Sequence, residues 1–115
     1  MKRITLFLLA AALSNWSQDT VKQPRVPKDG VVPKDGFVPN PEIAVTVAEA
    51  VLAPVYGRKT VASERPVKAN LRGNIWVVEG KVPCEGPPDA VCPGGAGVVW
   101  ISKRTGQILF MTHLQ

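Results

Sequence analysis

The stretch NPEIAVTVAEAVLAPVYG, residues 40–57, decides the fold because it predicts one long amphipathic helix. Asn40 is a preferred N-cap residue, and Pro41 suits the first helical position. Gly57 is placed to end the helix after Tyr56 with a left-handed cap. Apolar residues recur at spacings of three and four, which is typical of a helix face that packs on a core. They form two adjoining rows: Ile43, Val47, Ala50 and Pro54, and beside them Ala44, Ala48, Val51 and Val55.

Downstream of this helix, the apolar residues alternate with polar ones, as in half-buried β-strands. The polar residues 58–66 predict at most a short turn of helix. Turns at Gly73-Asn74 and at Lys103–Gly106 predict antiparallel neighbours. We therefore expect an α+β fold, with one long N-terminal helix packed on a curved four-stranded antiparallel sheet. The four predicted strands are VKANL (67–71), IWVVEGKV (75–82), GVVWIS (97–102) and QILFMTH (107–113).

The first 14 residues predict a secretory signal peptide. Lys2 and Arg3 precede about ten apolar residues, a run too short to span a bilayer. Small residues allow cleavage after Ser14 and, nearly as well, after Ala12. A buried N-terminal helix and an uncleaved anchor are the alternatives. We expect a periplasmic or secreted protein that has no stable membrane anchor after cleavage.

Residues 15–36 predict a Pro/Gly-rich spacer before a domain at 37–115. The pentapeptide VPKDG occurs twice, at Val26–Gly30 and at Val32–Gly36. Its prolines remove backbone donors and favour extended conformations, and its Asp-Gly steps are turn signals. A duplicated linker is one interpretation, and a Pro-rich ligand for another module is the other.

The charge of the chain is ordinary for a soluble protein. The formal net charge is +5, and cleavage would leave twelve basic against nine acidic residues, a net charge of +3. The basic residues are scattered, so we expect no nucleic-acid partner. The sequence carries no signal for an oligomeric state.

Cys84 and Cys92 are the two cysteines, in CEGPPDAVC. An even count in an exported chain predicts a disulfide, and free thiols are the alternative. A metal site would need more ligands, because His113 is the single histidine.

No catalytic constellation is recognisable in the sequence. Ser63 and Ser102 lack the setting of a nucleophile elbow. The carboxylates of Glu49, Glu64, Glu79 and Glu85 are spread over separate segments. We therefore expect neither an enzyme nor a cofactor, and His113 is expected to be a surface or structural residue.

Two tryptophans lie on predicted strands. By strand alternation, Trp76 shares a sheet face with Val78, and Trp100 shares one with Val98. Core packing is the default for both residues, and an exposed aromatic anchor for a partner is the alternative.

Several segments, taken in order, resemble immunity proteins with a nuclear-transport-factor-2 (NTF2) fold from bacterial polymorphic toxin systems. The resemblance covers residues 36–113. It differs in the tail, since such proteins tend to end in His, a small residue and Lys, and in the loop between the cysteines, which looks like an insertion. The segments are DGFVPNPEIAVTVAEA (35–50), AEAVLAPVYG (48–57), ERP (64–66), WVVEGKVP (76–83), GGAGVVWISKRTGQIL (94–109) and the near-terminal His113.

The resemblance implies a partial NTF2-like cone that binds and neutralises a cognate protein toxin domain without catalysis. Tight binding of this kind rests on a few anchor residues. The candidates are Tyr56, Arg65, Trp100, His113, Leu114 and Gln115.

Two other functions remain open at this point. One is a small PepSY-like inhibitor or regulator, against which Tyr56-Gly57 and Gly94-Gly95 argue. The other is a ketosteroid-isomerase-like enzyme on the same cone. It would need a deep pocket around Glu49 or Glu79, with a carboxylate of raised pKa.

Overall fold

The structure, a computed structural model, describes residues 22–84, 86–87 and 94–114. The chain divides into two units, residues 1–30 and 31–115, and the described helices and strands all belong to the second. The predicted signal peptide, Cys92 and Gln115 lie outside the described residues.

Two helices precede a four-stranded sheet. All neighbouring strands are antiparallel, and their order in the sheet is β1-β2-β3-β4. The predicted α+β class is confirmed, and the polar segment after the long helix forms a short second helix. The elements are α1 (Pro41–Tyr56), α2 (Arg58–Ser63), β1 (Lys68–Arg72), β2 (Ile75–Glu79), β3 (Gly97–Ser102) and β4 (Ile108–His113).

Both ends of α1 lie where the sequence predicts. The Asn40 side chain accepts a hydrogen bond from the Ile43 N–H at 2.9 Å, and Pro41 takes the first helical position. At the other end, the N–H of Gly57 donates to the Ala53 carbonyl oxygen at 2.8 Å. Gly57 has a φ of 94° and a ψ of 146°, so its backbone is not in the left-handed helical conformation that we expected. An N-cap of this kind contributes about 1 kcal/mol to stability, so these residues fix where the helix begins.

The buried face of α1 differs in part from the predicted rows. Four of the eight residues that we expected to pack are exposed: Ile43, Ala50, Pro54 and Val55. Leu52, which was outside both rows, is buried against Gly97, where an added Cβ would lie 3.0 Å from the leucine methyl carbons. Small side chains let the helix lie close to the sheet, and they set which face turns inward. The fully buried helix residues are Ala44, Ala48 and Leu52.

The core lies between α1 and one face of the sheet. Trp76 is buried there, and its indole Nε1–H donates to the Val38 carbonyl oxygen at 2.8 Å. Core packing is therefore correct for this tryptophan. Three further buried members of the cluster lie on the sheet, Val78, Val99 and Ile101, while Val38 precedes α1 and Val61 lies on α2.

Strand β2 ends earlier than predicted, at Glu79 and not at Val82. The Gly80 N–H still donates to the Gly97 carbonyl oxygen at 2.9 Å, but the Lys81 N–H donates to the Glu64 carbonyl oxygen at 2.7 Å. The chain therefore leaves the ladder after Gly80 and is held by the residue that follows α2.

The end of the predicted spacer contacts the turn that joins β3 and β4. The Lys103 ammonium donates to the Asp35 carbonyl oxygen at 2.6 Å, and the Val38 N–H donates to the Lys103 carbonyl oxygen at 3.0 Å. Gly36 is buried between them with a φ of 85°, and an added Cβ would clash with the Lys103 carbonyl oxygen. These contacts hold the entry to α1 against the sheet.

Candidate partner-binding site

The sheet face opposite α1, which we call the outer face, carries a groove with an apolar floor. Strand alternation places every second residue of β2, β3 and β4 on this face. The groove is open and has a volume of about 390 Å³. Its lining residues are Arg72, Ile75, Val77, Glu79, Val98, Trp100, Phe110, Thr112 and Leu114.

Trp100 and Phe110 form the aromatic centre of this outer groove. Trp100 pairs across the sheet with Val77 on one side and with Phe110 on the other. The two aromatic ring centroids are 5.3 Å apart and the rings are tilted by 57°. Trp100 is 40% exposed and Phe110 is 46% exposed. Trp100 is therefore a surface residue, unlike Trp76.

Leu114 joins the same surface, whereas His113 does not. Leu114 is exposed beside the outer groove, and its N–H donates to the Ala96 carbonyl oxygen at 3.0 Å. His113 points to the helix side, where its ring centroid lies 5.1 Å from that of Tyr56. The alternation of β4 thus separates residues that the sequence grouped as one anchor.

His113 also lies beside a buried carboxylate. Its Nε2 atom is 3.1 Å from Oε1 of Glu64, but no hydrogen bond of acceptable geometry reaches Nε2 in the described part of the chain. Glu64 is only 4% exposed, and its Oε1 accepts the Gly97 N–H at 2.6 Å. A buried carboxylate requires such a donor. This contact fastens the end of α2 to β3, and the sequence offered no signal for it.

Arg65 is held in an ion pair with α1. Its Nε and Nη2 atoms each donate to one carboxylate oxygen of Glu49 at 2.9 Å. This hydrogen bonding, followed by the charge of Glu49, raises the pKa of Arg65 above its ordinary value. The pair lines a separate surface recess between α1 and α2, so Arg65 is not grouped with the outer groove.

Two cations stand at the β1 side of the outer face. Register pairs Lys68 with Glu79 and Arg72 with Ile75, which places both cations on this face. Both side chains belong to exposed residues, and within the described ranges neither has a salt-bridge partner. In the sequence, the even spacing of Lys68 and Arg72 in KANLR is the pattern that indicates that both cations share one face of the strand.

The carboxylates that the sequence offered for a pocket, Glu49 and Glu79, lie in different settings. Glu49 is bound by Arg65, and Glu79 is exposed at the side of an open groove. In the part of the chain that the structure describes, no group of three or more metal-ligating side chains converges. The outer face combines an aromatic surface with charged side chains at its margins.

Across the described ranges, no helix is both long enough and apolar enough to cross a membrane.

Comparison with known proteins identifies a family. The model of a family described as NTF2 fold immunity protein matches residues 43–115, from the first turn of α1 to the last residue. Neither a comparison with curated proteins nor one with solved structures gave a match.

Proposed function

Because this chain belongs to the family of NTF2-fold immunity proteins, we propose that it binds and neutralises a cognate bacterial toxin domain and catalyses no reaction. Membership supports immunity in general and a toxin as the kind of partner. Direct binding, and the face that makes it, are the proposal.

The open aromatic groove of the outer face is the observation that supports binding most strongly. Protein interfaces draw most of their free energy from a few large anchors, and tryptophan is among the commonest. Trp100 and Phe110 keep nearly half of their surface exposed although Trp100 lies on an interior strand and Phe110 is its cross-strand neighbour. A partner that covered them would bury apolar surface on a rigid β-sheet, with little loss of conformational freedom.

The candidate anchors therefore divide into two groups. We propose that Trp100 and Leu114 contact the toxin directly, together with Phe110. Tyr56 and His113 contact each other on the helix side, and Arg65 binds Glu49, so we assign these three to stabilising the domain. Gln115 lies outside the described residues and stays a predicted partner contact.

Absence of catalysis is part of the same proposal. An isomerase-like reaction would need a carboxylate in a deep apolar pocket, where burial raises its pKa. Glu79 is solvated and Glu49 is bound by Arg65. His113 lies beside Glu64 but is flanked by the Tyr56 ring, with no nucleophile in the contacts described for it.

We also propose that the encounter takes place outside the cytoplasm. Lys2-Arg3 and the apolar run that follows them are typical of a signal peptide, and this supports export. In an oxidising compartment, Cys84 and Cys92 would form a bridge within the loop between β2 and β3.

The test of the proposed function is protection in a bacterial host. The toxin domain encoded beside this gene is expressed in the periplasm, alone and together with this protein. We expect growth arrest alone and growth with the protein. The Trp100→Ala/Phe110→Ala variant should protect poorly. The Val55→Ala variant, which truncates an apolar residue that is 60% exposed on α1, should protect fully.

Two outcomes of this experiment would contradict the proposal. Unchanged toxicity with a well-expressed wild-type protein would refute immunity by binding and would favour the small-regulator alternative. Full protection by the doubly truncated variant would show that the toxin is bound elsewhere.

A further inference from the structure

The domain carries a small excess of positive charge, since residues 37–115 hold eight Lys and Arg against six Glu and Asp. Four of these acidic residues lie in the described ranges, and all four are glutamates. Two of these four glutamates are not open to a partner, because Glu64 is buried and Glu49 is bound by Arg65. Arg65 is engaged in the same ion pair as Glu49. On the outer face, Lys68 lies opposite Glu79 and Arg72 lines the outer groove, and within the described ranges neither cation has a salt-bridge partner.

We propose that the toxin surface covered by the outer face is acidic at its margin and apolar at its centre. This inference rests on the proposed function and names the chemistry of its partner. Unpaired cations beside an apolar groove match a partner that brings carboxylates to the same margin. The aromatic pair Trp100 and Phe110 then meets the apolar centre.

The cations of the outer face also indicate which part of the toxin is covered. A cleft that binds nucleic acid is itself cationic, because it must neutralise phosphates. Such a cleft would be repelled by Lys68 and Arg72. The covered surface is therefore not a nucleic-acid-binding cleft.

Other occupants fit the outer face less well. Single-stranded nucleic acid binds along a positively charged groove in which successive bases stack on aromatic side chains, whereas this groove offers one aromatic pair, Trp100 and Phe110. The remainder of the floor is largely aliphatic, with Val77 and Val98, and offers no rings for stacking. A second copy of this chain would bring its own Lys68 and Arg72 to the same contact.

The association rate of the full mature protein with the neighbouring toxin domain tests this inference. Two charge-reversal variants are compared with wild type: Lys68→Glu/Arg72→Glu at the outer face, and Arg58→Glu/Lys59→Glu on α2. They change the net charge equally, and all four residues are exposed. Rates are measured between about 0.01 and 0.15 M ionic strength, across which the Debye length falls from about 30 to 8 Å.

We expect the wild-type association rate to fall as salt is added. At low salt, reversal at Lys68 and Arg72 should slow association by about tenfold or more, and reversal on α2 should leave it within about twofold. If the two variants had equal effects, or if reversal at the outer face made association faster, the inference that the partner surface is acidic would be wrong. Toxin binding itself would not be contradicted. If wild type does not bind the toxin at all, the proposed function fails and this inference fails with it.

Two control measurements test the other possible occupants of the outer face, single-stranded nucleic acid and a second copy of this chain. An oligodeoxythymidine of about 20 nucleotides is titrated into the protein at low salt, and sedimentation reports self-association. We expect neither binding nor a dimer. Oligonucleotide binding, or a dimer that Trp100→Ala abolishes, would overturn the inference in favour of that occupant.

Discussion

Trp76 and Trp100 lie on adjacent strands but on opposite faces of the sheet, and this difference decides what each residue does. Trp76 is 6% exposed and donates its indole N–H to Val38, whereas Trp100 is 40% exposed and contacts Phe110. A tryptophan in the first setting stabilises the fold. One in the second is available to a partner.

Truncation of the two tryptophans should therefore have different effects on stability. Trp76→Ala should lower the free energy of unfolding by about 3–5 kcal/mol, because it opens a cavity and leaves the Val38 carbonyl oxygen without its donor. Trp100→Ala should lower it by about 1 kcal/mol or less, the range of one exposed aromatic pair. Urea unfolding followed by circular dichroism measures both values. Equal losses would mean that Trp100 is a core residue.

Gly36 occupies a position that its counterpart in the first pentapeptide does not share. The two copies of VPKDG end at Gly30 and Gly36, but only Gly36 has a positive φ. An added Cβ at Gly36 would clash with the Lys103 carbonyl oxygen, whereas at Gly30 it would lie 3.8 Å from the Pro27 carbonyl oxygen. The second copy is therefore part of the folded domain.

This pair of glycines gives a matched prediction. Gly36→Ala should destabilise the domain by about 1–3 kcal/mol, because it combines a strained φ with a backbone clash. Gly30→Ala should be neutral, or slightly stabilising through the unfolded chain. Thermal unfolding of the two variants provides the measurement. A neutral Gly36→Ala would show that the segment before α1 does not depend on its contact with the β3–β4 turn.

At the scale of elements, local signals predicted more than long-range ones. Asn40 and Gly57 fix the ends of α1 through contacts within a few residues, and the predicted helix is confirmed at both ends. The four strands are confirmed with small shifts at their ends, because alternation and turn residues are local as well. The α+β class followed from these elements.

What the sequence could not supply depends on contacts between distant residues. The end of β2 is set by hydrogen bonds with Gly97 and Glu64, far along the chain. A register shift opposite Trp100 and Ile101 places both Ile108 and Met111 against the core, although simple alternation would put them on opposite faces. The buried face of α1 was likewise decided by how closely its alanines approach the sheet.

The same limit applies to the candidate site. Trp100 and Leu114 were candidates from the sequence, and both line the outer groove. Phe110 was missed because the β4 register was unknown. Arg65 was a candidate by resemblance. Its bidentate contact with Glu49 joins residues 16 positions apart, so no local sequence pattern could predict this ion pair.

At the scale of the whole molecule, a small α+β domain buries one face of its sheet under a helix and has an open groove on the other. Export is the remaining prediction at this scale. Protein recovered from the periplasm of a bacterial host should begin near Asn15 and weigh about two hydrogens less than its reduced form. Intact-mass measurement with and without reductant tests both statements. A full-length chain in the cytosol would contradict the first, and an unchanged mass on reduction would contradict the second.

The central claim is that the outer face binds a toxin through its aromatic centre. Calorimetric titration of the purified protein with the neighbouring toxin domain tests it most directly, with Trp100→Ala and Val55→Ala as the matched pair of truncations. We predict a stoichiometric complex for wild type and Val55→Ala, and a loss of affinity of about thirtyfold or more for Trp100→Ala, as expected for a hot-spot residue. An unchanged affinity of Trp100→Ala, with its fold intact by circular dichroism, would contradict the claim.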